Sequence, residues 1–182
     1  FVLGYAFSEP RDQSGNSAPA GRIKIFWGQL ASWLQNLARR FRVFAMTDSN
    51  GHAGWEKGAP QEATFPEGTS PVGQSFMEPT TWQGRECMRA LHAGHMMAAN
   101  TFKGGGPSHR NGHRLEVIAC EKRRQEQLVD CWVDRELEQL VRHKKLRPNS
   151  KADHYPVFAL FEIPPWPRAP RKAKAEPMTK FN

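Results

Sequence analysis

The stretch that decides the fold is KADHYPVFALFE, residues 151–162, because it joins two titratable side chains to an apolar run. Asp153 and His154 come directly before PVFALFEI, residues 156–163, which has the content and length of a buried strand. Pro156 fits the first strand position, which tolerates a missing N–H. By itself, such a pair is typical of a solvated loop, so its meaning depends on the rest of the chain.

Strands and helices are expected to alternate over the preceding residues. Apolar runs predict strands at FVLGYAF (1–7), FRVFAM (41–46), RLEVIAC (114–120) and LVDCWV (128–133), and helical spacing predicts helices over residues 22–40 and from Trp82 to about Met96. FRVFAM is expected to be buried on both faces. Residues 51–80 are rich in Gly and Pro, which favours a functional loop. The order predicts an α/β (α+β) fold in one domain.

The charge balance suits a polyanionic partner. The 182 residues carry a formal net charge of +8, and the five basic residues and one Glu of 164–182 account for half of it. We therefore divide the chain into a domain over 1–163 and a Pro-, Arg- and Lys-rich tail or linker over 164–182.

The other bulk features favour an intracellular location. Three cysteines form no close pair, which indicates a reducing compartment, the nucleus or cytoplasm. The apolar opening is too short for a membrane span, so no membrane partner is expected. It also does not start with Met, and we expect a piece of a longer protein.

Polar side chains recur where the predicted strands end. Asp48 and Asn50 follow FRVFAM, Glu116 lies in RLEVIAC, and Asp153 and His154 precede the last strand. Each has an ordinary explanation, since Asn-Gly at 50–51 supplies the positive φ angles of a tight turn and Glu116 fits the outward position of a strand. Their joint order is more specific than any one of them.

That order resembles the second half of the endonuclease/exonuclease/phosphatase superfamily, which has the DNase I-like fold. The matching stretches are TDSNGHAG (47–54), QGRECMRALHAGHMMAANTF (83–102), HRLEVIA (113–119) and ADHYPVFALFE (152–162), with GYAFSEP near the start. The resemblance is closest to the apurinic-type endonuclease domains of non-long-terminal-repeat retrotransposons. It implies a two-sheet αβ sandwich, of which residues 1–163 are the C-terminal portion.

The departures from the family pattern affect the expected activity. Thr47 replaces a Gly, Glu116 replaces an Asp, and Ala152 replaces a Ser of that pattern. The family's first half, with its metal-binding Glu, has no counterpart. We therefore expect exposed apolar surface where the first sheet would pack, and little or no nuclease activity from these residues alone.

The resemblance implies metal-dependent hydrolysis of a phosphodiester, with Mg²⁺ (or Mn²⁺) as the cofactor. It assigns attack by water to Asp48, phosphate contacts to Asn50, His154 and Tyr5, orientation of the imidazole to Glu116, the metal to Asp153, and nucleic-acid contacts to Asn100, Thr101 and Arg114. The expected partner is nucleic acid, DNA before RNA, with a reverse transcriptase domain downstream in a longer chain.

Two other functions remain open. His92, His95, His109 and His113, with Cys87, have spacings compatible with zinc in a structural module, although an ordinary polar surface explains them better because no CxxC accompanies them. A noncatalytic remnant that binds nucleic acid through its basic residues is the other alternative.

Overall fold

The computed structural model describes residues 2–5, 18–53, 65, 69–75, 79–136 and 154–165, with the backbone alone of residues 2–5 and 18–19. The elements are β1 Val2–Tyr5, α1 Ala18–Ala38, β2 Phe44–Asp48, α2 Trp82–Ala93, β3 Met96–Ala98, β4 Glu116–Glu121, β5 Leu128–Val133 and β6 Val157–Phe161, with 3₁₀ turns at Ala99–Thr101 and Lys122–Gln127. The strands and helices expected from the sequence are all present, with ends shifted by a few residues.

The strands form two sheets. The larger has the order β1-β2-β4-β3, in which β1 and β2 are parallel and the other neighbours antiparallel. The smaller is the antiparallel pair β5-β6, with an irregularity between Leu128 and Asp130. Helices on one face of a mostly antiparallel sheet confirm the expected α/β (α+β) class.

Both helices pack on the same face of the larger sheet. Ile23, Trp27, Leu30 and Leu34 recur along α1 at helical spacing and are buried against the core, which also contains Cys87 and Leu91 of α2. The start of α2 is fixed by Thr81, whose side-chain oxygen accepts a hydrogen bond from the Gly84 N–H at 3.2 Å. Ala45, Val117 and Ala119 supply the sheet side of this core.

The opposite face of the larger sheet is only partly covered, which corrects the expectation for β2. Phe44 packs against Phe161 of β6, with ring centroids 4.9 Å apart, but Met46 is 41% exposed. The smaller sheet reaches the beginning of β2 and not its end. Strand β2 is therefore buried on one face, and its other face opens into a cleft.

The smaller sheet presents apolar side chains to solvent. Trp132 and Phe158 stack across it with ring centroids 5.3 Å apart, and both are exposed, as are Leu160 and Ile163. An exposed apolar face of this kind is expected where a sheet of a sandwich lacks part of its packing partner.

The structure bears on the cysteines and on membrane spans, but it does not describe most of the tail. Cys87, Cys120 and Cys131 are buried free thiols. No helix among the described residues is long and apolar enough to cross a membrane. Residues 166–182 lie outside the described part of the chain, so the tail and its boundary stay a prediction.

Candidate active site

Three of the residues expected at the site lie in one row across the larger sheet, at one end of its strands. Strand β1 ends at Tyr5 and β2 ends at Asp48, and these two are partners in the parallel register. Asp48 is also the antiparallel partner of Glu116, the first residue of β4. Directly opposed residues project on the same face, so the Asp48 and Glu116 carboxylates both point away from the helices. The Tyr5 side chain lies outside the described part.

The turn after β2 is shaped by Asp48 itself. The Asn50 N–H donates to Asp48 Oδ1 at 2.9 Å, and Asn50 has a φ of 45°, which Asn tolerates better than most residues. The expectation that Gly51 supplies a positive φ is wrong. Gly51 is needed for close approach instead, because a Cβ there would lie 2.6 Å from the Gly84 backbone nitrogen.

The start of α2 holds this turn in place. The buried Gln83 Nε2 donates to the Ser49 carbonyl at 2.8 Å, and the His52 N–H donates to Thr81 Oγ1 at 3.0 Å. Ser49 is also tied to β4, because its N–H donates to the Leu115 carbonyl at 2.9 Å. The turn that carries Asp48 and Asn50 is thus fixed by a helix on one side and a strand on the other.

His154 approaches from the segment that leads into the smaller sheet. Its Nδ1 is in hydrogen-bonding contact with Glu116 Oε1. The backbone of His154 pairs with that of His109, and the Tyr155 N–H donates to the Ser108 carbonyl at 2.6 Å. The His109 ring lies edge-on to the His154 ring at a centroid distance of 5.0 Å. Asp153 lies outside the described residues.

Ser108 connects the parts of this arrangement. It is fully buried, and its Oγ accepts a hydrogen bond from the Leu115 N–H at 3.1 Å, directly before Glu116. Its backbone carbonyl meanwhile holds Tyr155, directly after His154. One serine therefore fixes the backbone beside both members of the Glu116–His154 pair.

The carboxylates are the electrostatic centre of the site. Two like charges on opposed positions of an antiparallel pair repel each other. Glu116 Oε2 is buried and has no hydrogen-bond partner among the residues that the structure describes. A buried carboxylate oxygen without a partner requires an explanation, such as an ion or a catalytic role.

A cavity opens over this face. It has a volume of about 380 Å³ and brings together Asp48, Glu116 and His154 with an apolar wall that includes Met46 and Ile118. Its size is in the range of small-ligand sites, and a few polar groups on an apolar wall are typical of them.

The donors fit a small, hard cation. Mg²⁺ is usually bound through one or two carboxylates together with water and substrate phosphate, and Asp48 and Glu116 offer two carboxylates on one face. The unpartnered Glu116 Oε2 is consistent with that role. Across the described residues, no group of three or more His, Cys, Asp or Glu side chains is arranged to hold a metal.

The three residues expected to contact nucleic acid are buried instead. Asn100 Nδ2 donates to the Glu116 carbonyl at 2.8 Å, and Asn100 Oδ1 accepts from the Ile118 N–H at 3.1 Å. Thr101 Oγ1 accepts from the Gly73 N–H at 2.7 Å, and Arg114 donates to the Ser75 carbonyl at 2.7 Å. These contacts give all three side chains a structural role here, and their contact with nucleic acid stays a prediction.

The candidate zinc ligands are distributed over separate surroundings. Cys87 is fully buried, and burial raises the pKa of its thiol to about 12, which disfavours the thiolate that zinc requires. His92 packs on Phe65 at a ring distance of 4.9 Å, while His113 stacks on His52 at 4.0 Å. The arrangement does not support a zinc module.

Sequence reasoning missed two residues of the site's framework, Ser108 and Gln83. Ser108 lies in a Gly- and Pro-rich segment where a serine is ordinary, and Gln83 is a polar residue at a predicted helix start, where polar residues are common. Only their burial and hydrogen bonds identify them.

Solved structures with a similar fold identify the fold of the chain. No protein-family model matches the sequence, and no curated protein is significantly similar to it. Among solved structures, the 3′-5′ exonuclease NExo from Neisseria meningitidis is similar with a TM-score of 0.52 at 15% identity, over 82% of this chain and 57% of that one. The 3′ phosphatase NExo from Neisseria bound to a product DNA hairpin is similar with a TM-score of 0.51 at 14% identity, over 82% and 56%. The chain thus spans a little over half of each, and it has an incomplete DNase I-like fold.

Proposed function

We propose that Asp48, Glu116 and His154 form the reaction site of a metal-dependent phosphodiester hydrolase that acts on nucleic acid. The contact between Glu116 and His154 carries the proposal. Together with the neighbouring Asp48, it brings an imidazole and two carboxylates to one end of the sheet. The DNase I-like fold supports it, since one similar structure is a 3′ phosphatase bound to a product DNA hairpin and the other a 3′-5′ exonuclease. DNA is therefore the expected substrate.

His154 and Glu116 act as a pair in this proposal. A Glu116 carboxylate accepts the Nδ1 proton of His154 and so fixes the tautomer that leaves Nε2 for the phosphate. With Nδ1–H held by Glu116, the neutral imidazole accepts a proton at Nε2, and the imidazolium so formed donates from Nε2 to a phosphate oxygen.

Asp48 and Asn50 act on the other side of the cavity. The Asp48 carboxylate orients the attacking water, and the Asn50 amide holds a phosphate oxygen without charge repulsion. The hydrogen bond from the Asn50 N–H to Asp48 Oδ1 keeps these two residues in a fixed relation. Tyr5 contributes a phosphate contact in the proposal, because its backbone lies beside Asp48.

The cofactor of the proposal is Mg²⁺, or Mn²⁺. Asp48, Glu116 and Asp153 would hold it, as hard oxygen donors suit a hard cation. When bound, the cation supplies Lewis-acid polarisation of the phosphate and stabilises the leaving oxygen.

The sequence resemblance supports a more specific origin. We propose that the chain derives from a non-long-terminal-repeat retrotransposon, with a reverse transcriptase domain downstream in the longer protein. Such a protein works in the nucleus or cytoplasm. These residues alone are proposed to have little or no activity, because the family's metal-binding Glu has no counterpart in them.

The test is nicking of a supercoiled plasmid that carries abasic sites, in Mg²⁺ and in EDTA. We expect cleavage from a version of the chain extended upstream in its gene, and loss of that cleavage in His154→Ala and Asp48→Ala. The control is Glu126→Ala, an exposed carboxylate on the 3₁₀ turn Lys122–Gln127. Cleavage that survives both site substitutions would refute the assignment of the site.

A noncatalytic nucleic-acid-binding remnant is the second candidate. The observation that favours it is the replacement of the family's Asp by Glu116, whose side chain is one methylene longer; a shift of His154 by about 1 Å would lower the rate about 10²-fold. Salt-dependent DNA binding without cleavage by the extended chain would select this candidate.

A further inference from the structure

A strongly basic surface lies at the end of the larger sheet opposite the candidate active site. Two segments form it, residues 39–42 after α1 and residues 122–124 after β4. They contribute six cations, Arg39, Arg40, Arg42, Lys122, Arg123 and Arg124. We call these six residues the basal basic surface.

The two segments are in direct contact. Arg123 Nη2 donates to the Ala38 carbonyl at the end of α1, at 3.3 Å. A cavity of about 480 Å³ lies between the segments, and its lining includes Arg39, Lys122 and Arg123. Three of the six cations thus line one concave surface, and the other three follow them in the same two segments.

Structural roles account for only part of this charge. The buried Glu121 carboxylate pairs with Arg123 at 3.0 Å and with Arg124, and Arg42 donates to the Pro164 carbonyl at 2.8 Å. Arg39 and Arg40 are exposed, and their side chains have no partner among the residues that the structure describes. Partial burial lowers the pKa of the Lys122 ammonium.

The cations of this surface outnumber the carboxylates described around it. The carboxylates near it are Glu121, which is already paired, Glu126, and the exposed Glu162, whose N–H donates to the Gln127 carbonyl at 2.8 Å. The contact between Arg42 and Pro164 places Pro164 beside it, and residues 166–182 lie outside the described part of the chain. A surface with this excess of cations complements a polyanion.

We propose that the basal basic surface binds the phosphate backbone of nucleic acid, separately from the candidate active site. Glu116 and Glu121 begin and end β4, so the two regions lie about 17 Å apart along the strand. The choice of DNA as the polyanion rests on the proposed function, whereas the presence of an anion-binding surface does not. Binding here adds affinity for a long substrate without reading its sequence.

The test measures binding in EDTA, so that cleavage plays no part. A labelled 20-base-pair duplex is titrated with the full chain at several NaCl concentrations, and fluorescence anisotropy gives the affinity. We expect Arg39→Gln/Arg40→Gln to weaken binding and to reduce the slope of log affinity against log salt by about 1.8, for two lost phosphate contacts. Both side chains are exposed, so the variant retains its fold, which circular dichroism checks.

The matched control is Arg22→Gln/Lys24→Gln, which removes the same charge from exposed positions about 25 Å away along α1. We expect its salt slope to stay close to that of the unmodified chain. An equal loss in both variants would mean that only net charge matters, and the localised surface would be wrong.

Two further arms separate this proposal from others. Nicking by the extended chain in Mg²⁺ tests the proposed function independently of duplex binding in EDTA. Vesicles containing phosphatidylserine serve as the alternative polyanion. Binding to vesicles that depends on Arg39 and Arg40, with duplex binding unchanged, would overturn the assignment to nucleic acid.

Discussion

Asp48 and Glu116 are directly opposed partners on β2 and β4, and both carboxylates project on the same face of the sheet. Opposed like charges destabilise an antiparallel pair, so the fold retains this arrangement at a cost in stability. A cation between them, or chemistry that uses them, is a physical reason for keeping both.

Asp48→Asn is therefore expected to stabilise the chain in EDTA, by about 0.5–1 kcal/mol. The amide oxygen still accepts the Asn50 N–H, so the turn is preserved. Thermal unfolding at low salt measures the effect. In Mg²⁺ we expect the unmodified chain to be more stable than Asp48→Asn, because a cation bound by the folded state stabilises only the unmodified chain. The control Glu126→Gln, at an exposed site, should change the stability neither in EDTA nor in Mg²⁺. If Mg²⁺ stabilises Asp48→Asn as much as the unmodified chain, the prediction is contradicted.

Gly84→Ala should disrupt the turn that carries Asp48. A Cβ at this position collides with the backbone carbonyl of His52, which cannot move without displacing the turn. We expect a loss of about 2–3 kcal/mol in the free energy of unfolding, measured by urea denaturation. Gly28→Ala is the matched control, because a Cβ there meets open space within α1. It should stabilise the chain by about 0.5–1 kcal/mol, and similar effects of the two substitutions would disprove the steric argument.

Asn100→Ala should lower stability by about 2–4 kcal/mol. It leaves the Glu116 carbonyl and the Ile118 N–H without the side chain that bonds both of them in the interior. Chemical denaturation checks this loss. The exposed Asn111→Ala serves as the comparison and should stay within about 0.5 kcal/mol of the unmodified chain. Equal midpoints for the two variants would show that Asn100 does not brace β4.

The three thiols should be unreactive in the folded chain. Burial raises the pKa of Cys87 and of Cys120 to about 12, and that of Cys131 to about 11. We expect little alkylation by iodoacetamide at pH 8 until urea unfolds the chain. Rapid alkylation of the native protein would contradict this expectation.

The same shifts predict a decline of stability in alkali. The folded state keeps the thiols neutral, so their contribution is fully present below the ordinary pKa of 9.0 and is lost as the pH rises through 11 to 12. The urea midpoint should therefore fall above pH 9. The decline should be shallower in Cys87→Ala than in the unmodified chain, and parallel declines would show that Cys87 does not contribute.

Much of the fold could be predicted from local patterns. The spacing in α1 and the apolar runs of β2, β4, β5 and β6 identify these elements, because each buries a face whose period is visible in the sequence. The cluster of Asp48, Glu116 and His154 was also expected, since polar residues at strand ends converge when the strands are neighbours.

The rest depends on long-range contacts that no local pattern records. Asn100 has the sequence context of an exposed loop residue, and only the approach of β4 makes it a buried brace. Arg114 is buried because a distant carbonyl, that of Ser75, lies within its reach. The exposure of Met46 is similarly set by how far the smaller sheet extends, which the sequence of β2 does not contain.

The contact between Glu116 and His154 joins β4 of the larger sheet to the segment that leads into the smaller one, and its partners are 38 residues apart in sequence. In the proposed function, the reaction site therefore exists only while the segment before β6 lies against β4, and separation of the two would take the imidazole from its carboxylate.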